Sequence, residues 1–119
     1  MPQKLQYLRI ALSNYILLLQ NESYFEAHEA LEEAWHFMRK AKHPLQNLVK
    51  GLINASIAFE HLKRNRYDAT RKAKIVMQSY ERHKYLLNKE IIHHEFFDKA
   101  CQKIELLKKT NEVFRNPML

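Results

Sequence analysis

The segment PLQNLVKGLINASIAFEHLKR, residues 44–64, decides the fold. Its apolar residues Leu45, Leu48, Val49, Leu52, Ile53, Ile57, Phe59 and Leu62 recur at three- and four-residue steps yet cover most of a helical circumference. That is the pattern of a helix enclosed by others, not of one laid on a surface. Pro44 suits the first turn of such a helix, because its missing N–H and fixed φ cost nothing there. One polar seam interrupts the apolar surface: Asn47, Asn54 and His61 fall at seven-residue steps, with Lys50 beside them. A buried polar group left without a partner costs about 1–3 kcal/mol, so this seam must meet polar side chains or water.

Working outward, the rest of the chain supplies helices to surround this one. The 119 residues include one glycine and three prolines and are 46% hydrophobic and 28% charged, a composition short of the turn residues that multi-stranded β proteins need. The expected fold is all-α: about five helices in an antiparallel, tetratricopeptide-like bundle, forming a single helical domain over residues 1–119. The first helix spans Pro2 to Leu19, with Leu5, Leu8, Leu12, Tyr15, Ile16 and Leu19 inward. The second opens at SYFE, where Ser23 and Glu26 have the spacing of a capping box, and ends near Lys42. The third runs from Pro44 to Arg64, a turn around Asn65 leads to a fourth from Tyr67 to Leu87, and a fifth covers Glu95 to Phe114. NESYFEAHEAL and KRNRYDATRKA echo one another 42 residues apart and read as shared turn grammar.

Cys101 has no second cysteine to pair with, and no cysteine pair marks a metal site, so a reducing, cytoplasmic location is expected. The N-terminal helix is interrupted by Arg9 and Asn14 and followed by no small-residue cleavage site, which argues against a signal peptide. No run of about 18 apolar residues suggests a membrane span. The net charge of +7 is uneven: residues 22–36 hold five glutamates and no lysine or arginine, whereas 61–89 hold nine basic residues against two acidic ones. Such a dipole draws acidic partners to its positive end.

The acidic stretch is YFEAHEALEEAW, residues 24–35. On a helical wheel Tyr24, Leu31 and Trp35 share the large apolar face with alanines beside them, while His28 and Glu32, four apart, stack at its border. Glu26, Glu29 and Glu33 turn progressively outward. Together with KGLINASIAFEHLKRN this stretch resembles the prokaryotic family catalogued as domain of unknown function 309, in its Y-F-E-x-H-E-x-L-E-x-x-W motif and a following G-L-I segment that ends in a histidine and a turn. The resemblance covers about residues 20–80. It maps onto Glu26, His28, Glu29, Glu32 and Trp35, then Gly51, Leu52, Ile53 and His61. Lys50 and Asn54 stand where the family typically shows glutamine, and Asn65 where glycine is usual. The resemblance implies an all-helical fold and carries no assigned activity.

Three functional readings follow. The first is a non-enzymatic binding or interaction module, with a polar cluster of His28, Glu29, Glu32, Asn54 and His61 between the second and third helices. Self-association through an exposed apolar helix face, giving a homo-oligomer, belongs to the same reading. The second is an enzyme using that cluster, either on a small molecule or with a metal held by His28, Glu32 and His61 and with Glu29 as base; the HExxH pattern fails because Glu32 occupies the second histidine position. No cofactor is otherwise indicated. The third is nucleic-acid binding through Arg64, Arg66, Arg71, Lys74 and Arg82, with Lys72 nearby and Tyr67, Tyr80 and Tyr85 interleaved; charge suffices at phosphates, but no base-reading module is present, and Tyr67 and Tyr80 are expected to face the core. Against the metal reading stands a purely architectural one, in which Glu32 orients His28 or His61 within an inter-helix hydrogen-bond network.

Overall fold

The computed structural model describes residues 2–115, with side chains from Gln6 onward. Its helices are α1 (Pro2–Gln20), α2 (Tyr24–Lys40), α3 (Gln46–Arg64), α4 (Ala69–His83), α5 (His94–Lys109) and the single turn α6 (Glu112–Arg115), with a 3₁₀ turn at Lys84–Leu86. No strand occurs among the described residues. Successive helices pack as neighbours from α1 to α4, and α5 returns to close against α1 and α3.

As the all-round apolar pattern requires, α3 is enclosed: Leu48, Val49, Leu52, Ile53, Ala55, Ala58 and Phe59 are all buried. Of the inward positions expected on α1, Leu8, Leu12, Tyr15 and Leu19 are buried and Ile16 is half-buried, while the Leu5 side chain lies outside those described. The fully buried Tyr15 hydroxyl donates to the Leu52 carbonyl of α3 at 2.5 Å, and burial holds this phenol well above its ordinary pKa. The outer side of α1 leaves Tyr7, Ile10 and Leu17 exposed.

The ends of the helices depart from expectation for identifiable reasons. Ser23 precedes α2, but its ψ of 66° is not the extended value that aims a capping hydroxyl at free amides, and it makes no side-chain cap bond; the expected capping box with Glu26 does not form. Instead the Ser23 amide bonds the Leu18 carbonyl and the Glu22 amide the Leu19 carbonyl, with Glu22 left-handed at φ 59°. This is a Schellman closure of α1. The same arrangement at Lys42, with His43 bonding back to Met38, stops α2 at Lys40. Asn65 closes α3 in the left-handed region as expected, at φ 50°. Asp68 is left-handed as well, so α4 begins at Ala69 rather than Tyr67. Tyr67, expected to face the core, sits at the tip of this turn with 93% of its surface exposed. Tyr80 faces the core as expected.

Two contacts hold α4. Gly51 is buried in α3 with no room beside it: an added Cβ would lie 3.0 Å from the Cα of Tyr80. Beyond that contact the Tyr80 hydroxyl donates to Glu105 of α5 at 2.6 Å. Lys84 bridges Glu81 and Glu105 at 2.9 and 3.3 Å, and Lys108 pairs with the same two carboxylates. Burial would raise the Glu105 carboxyl, but the Tyr80 hydrogen bond and the charges of Lys108 and Lys84 outweigh it and bring the group below its ordinary pKa. Glu81 is lowered in the same way by Lys108 and Lys84.

Gly51→Ala should destabilise the protein by about 1–2 kcal/mol in urea unfolding, because pushing the α4 backbone outward outweighs alanine's better helix propensity. The two lowered carboxylates bind protons more readily in the unfolded chain, so their contribution is present above the unfolded value of about 4.3 and is lost as pH falls through the lower folded values. The urea midpoint should therefore fall on acidification below about pH 5, and Glu105→Gln should flatten that dependence; an unchanged slope would remove the network from the acid response.

Candidate functional site

The antiparallel register of α2 and α3 sets the polar residues of both helices along one edge. At one end the Lys50 ammonium of the α3 seam lies over the Trp35 ring, 4.1 Å from its centroid, with Arg39 at 5.3 Å. A cation over an indole face is worth about 0.5–2 kcal/mol, so Trp35 does more than pack. Lys50 thus meets the seam's need for a partner with a ring rather than an amide. Asn54 is half-buried in the middle of the edge and Asn47 is exposed.

At the other end stands His28, whose Nδ1–H donates to the Phe25 carbonyl one turn earlier, and whose ring meets Phe25 edge-on at 4.9 Å. That bond places a proton on Nδ1, since a carbonyl oxygen can only accept. Nε2 lies 3.7 Å from a Glu32 carboxylate oxygen, but the Glu32 side chain is 50% exposed. Glu29 faces solvent. On α3 the Glu60 carboxylate is tied to Arg64, whose guanidinium lies 5.7 Å from the Phe25 ring centroid. His61 is half-buried and its side chain forms no hydrogen bond or ion pair among the described residues.

His28 and His61 line one cavity of about 320 Å³, together with Ile57 and Phe25 and, across the α3–α4 turn, Arg66, Tyr67, Ala69 and Lys72. Of the five polar residues expected to cluster, the structure brings these two together on a cavity, and Glu29, Glu32 and Asn54 do not line it. The expected inter-helix hydrogen-bond network is not formed: the bonds of His28 stay within α2. Among the described residues no group of three or more His, Cys, Asp and Glu side chains is gathered as a metal-ligand set, so His28, Glu32 and His61 do not converge as ligands. The helical register explains this, since Glu32 lies a turn along α2 from His28, away from the C-terminal end of α3 that carries His61.

The basic residues divide. Arg64 and Arg66 border the cavity. Arg71 is paired with Asp68 at 2.5 Å, Arg82 is exposed on the outer side of α4, and Lys74 lines a separate hollow against α6. Phe25, Glu60 and Ala69, which also line the cavity, were not read as site residues from the sequence. An aromatic immediately after the core residue Tyr24 was the available signal, since adjacent helical positions cannot share a face. A larger hollow of about 900 Å³ lies between α1 and α5, lined by Tyr80, Lys84 and Glu105. Its central polar groups are already paired with one another, and burial pushes the Cys101 thiol up to about 11, so it offers no ready thiolate; Lys103 and Lys109 on its wall form no ion pair among the described residues.

Residues 12–73 match the model of the family described as Domain of unknown function (DUF309). The match contains α2, α3 and the α3–α4 turn, and hence every wall of the cavity with His28 and His61. No curated protein and no solved structure matches the chain.

Because Glu32 is half exposed and only 3.7 Å from His28, Glu32→Gln should shift stability by no more than about 0.5 kcal/mol in thermal or urea unfolding. A loss several times larger would mean that the carboxylate is part of the architecture after all.

Proposed function

The chain belongs to the DUF309 family, and on that premise we propose that it is a non-enzymatic binding module whose ligand occupies the cavity between α2, α3 and the start of α4. The observation that carries this reading is that His28 and His61 come from different helices to one cavity and are not engaged with each other there. A merely architectural pair would close on itself, because a polar group held at a core boundary gains most when its partner is a neighbouring side chain. Here the core is complete without them: Leu31, Leu52, Ile53 and Ala58 are all buried beneath the edge.

The cavity's composition supports binding over catalysis. Its only carboxylate, Glu60, is held by Arg64, and Glu29, the expected base, is outside it. The lone thiol is buried elsewhere. A mostly apolar hollow with a few convergent polar groups is the usual form of a small-molecule site, and this one falls at the lower end of the common size range. A cytoplasmic setting accords with the single cysteine. No helix among the described residues is long and apolar enough to cross a membrane.

The test is an amide chemical-shift titration of the ¹⁵N-labelled protein with a panel of neutral, cationic and anionic single-ring compounds. Saturable shifts should concentrate at Phe25, His28, Ile57 and His61, and His61→Ala should weaken the tightest of these about tenfold while leaving the fold intact. A panel that never perturbs those residues, or perturbs only the α1–α5 hollow, overturns the assignment.

A further inference from the structure

We propose that the cavity selects a small organic phosphate, a phosphate monoester with a compact flat apolar body, and that Arg66 and Lys72 hold its phosphate. This deepens the binding reading above and rests on it.

Charge bookkeeping around the cavity leads to the dianion. Of the three cations on its wall, Arg64 is neutralised by Glu60 and steadied against Phe25. Arg66 and Lys72 form no ion pair among the described residues and are exposed at the rim. Both positions are adjacent to acids that could have taken them, yet Asp68 turns to Arg71 and Glu60 to Arg64. Two uncompensated cations on one mouth match the charge of about −1.5 to −2 that a phosphate monoester carries near neutrality, and exceed what a carboxylate needs. The adjoining α4 is 15 residues long and its first turn receives no side-chain cap, so its positive end adds to the same potential.

The rest of the cavity specifies the body of the ligand. A volume of about 320 Å³ is roughly ten times the share of one liquid water molecule, far more than a bare phosphate ion fills. Phe25, Ile57 and Ala69 give this space an apolar lining. His61 has a ring N–H to donate to a phosphate or bridging oxygen. His28 borders the same space, with its Nδ1–H engaged by the Phe25 carbonyl.

Four probes separate the parts in the same amide titration: phenyl phosphate, benzoate, benzyl alcohol and inorganic phosphate. Phenyl phosphate should bind at least about tenfold tighter than each of the other three, and the double substitution Arg66→Gln and Lys72→Gln should remove that advantage while leaving benzyl alcohol unchanged. Both side chains are exposed, so the variant should keep the wild-type unfolding midpoint, and Arg82→Gln, remote from the cavity, should leave phenyl phosphate affinity unaltered. Benzoate binding as tightly as phenyl phosphate overturns the phosphate assignment, and so does an equal loss with Arg82→Gln, which would indicate diffuse attraction to a basic surface. If benzyl alcohol alone shifts Phe25 and Ile57, the phosphate proposal fails and the cavity reading stands. Silence from all four probes at those residues removes both.

Discussion

The contact between Gly51 and the backbone of α4 sets the distance on which the other packing depends. The chain has a single glycine, and it stands where α3 meets the Cα of Tyr80. Any side chain there would move α4 outward, and with it the Tyr80 ring, which is buried and passes its hydroxyl on to Glu105. From Gly51 the constraint therefore runs through three helices. It ends in the half-exposed cluster of Glu81, Lys84, Glu105 and Lys108, where each charge has a partner of opposite sign. Such a cluster contributes modestly at the surface, where its side chains tie α4 and the turn after it to α5.

The same constraint explains where the fold remains open. Near its C-terminal end α4 meets Gly51 at Tyr80, whereas its N-terminal half buries only the small side chains of Ala69 and Ala73. Two non-glycine residues in the connection from α3 to α4, Asn65 and Asp68, adopt left-handed backbone, which costs about 1 kcal/mol or more each for a side chain that does not compensate. Asparagine and aspartate are the types that tolerate it best. The result is a turn that throws Tyr67 outward and sets Arg66 and Lys72 on either side of a hollow instead of filling it. α3 is enclosed along its middle and uncovered near its end, so His61 borders a space and Asn54 does not.

This division between middle and end also marks what was legible in the sequence. The enclosure of α3, the inward positions of α1 and the short antiparallel links follow from apolar periodicity, a property of whole helices that local accidents do not disturb. Asn65 was legible too, because asparagine is a recognisable left-handed residue. Glu22 and Lys42 carry no such mark, and they replace the glycine that usually closes a helix, while the left-handed His93 stands just before α5; the ends they determine were displaced by one or two residues. Ser23 had the right identity for a cap but the wrong ψ, since the Schellman closure of α1 had already set its backbone. Tyr67 failed for a related reason. Its echo, Tyr24, begins a helix and is buried, while the left-handed Asp68 delays α4 by two residues and leaves Tyr67 before it. For the site, the residue types His28 and His61 were legible from their place at the core border. Their distribution between hydrogen bonds and open space depended on that turn.

The acidic motif that attracts the eye in the sequence also takes a different electrostatic role once placed. Glu26, Glu29, Glu32 and Glu33 are exposed along the outer side of α2, with Glu33 accepting a hydrogen bond from Tyr7 of α1 at 2.9 Å. None of them lines the cavity, whose one carboxylate is neutralised by Arg64. At the cavity mouth the local field is therefore set by Arg66 and Lys72, within a Debye length of about 8–10 Å, beyond which more distant surface charges are largely screened. At low ionic strength, where that length grows to about 30 Å, the five glutamates of residues 22–36 and the nine basic residues of 61–89 would also act as a dipole that guides an anion toward the α3–α4 turn. On the proposed reading, an acidic stretch beside a basic mouth biases the approach of an anion without touching it, so the glutamates would act on recognition only through the field while the cavity residues make the contacts.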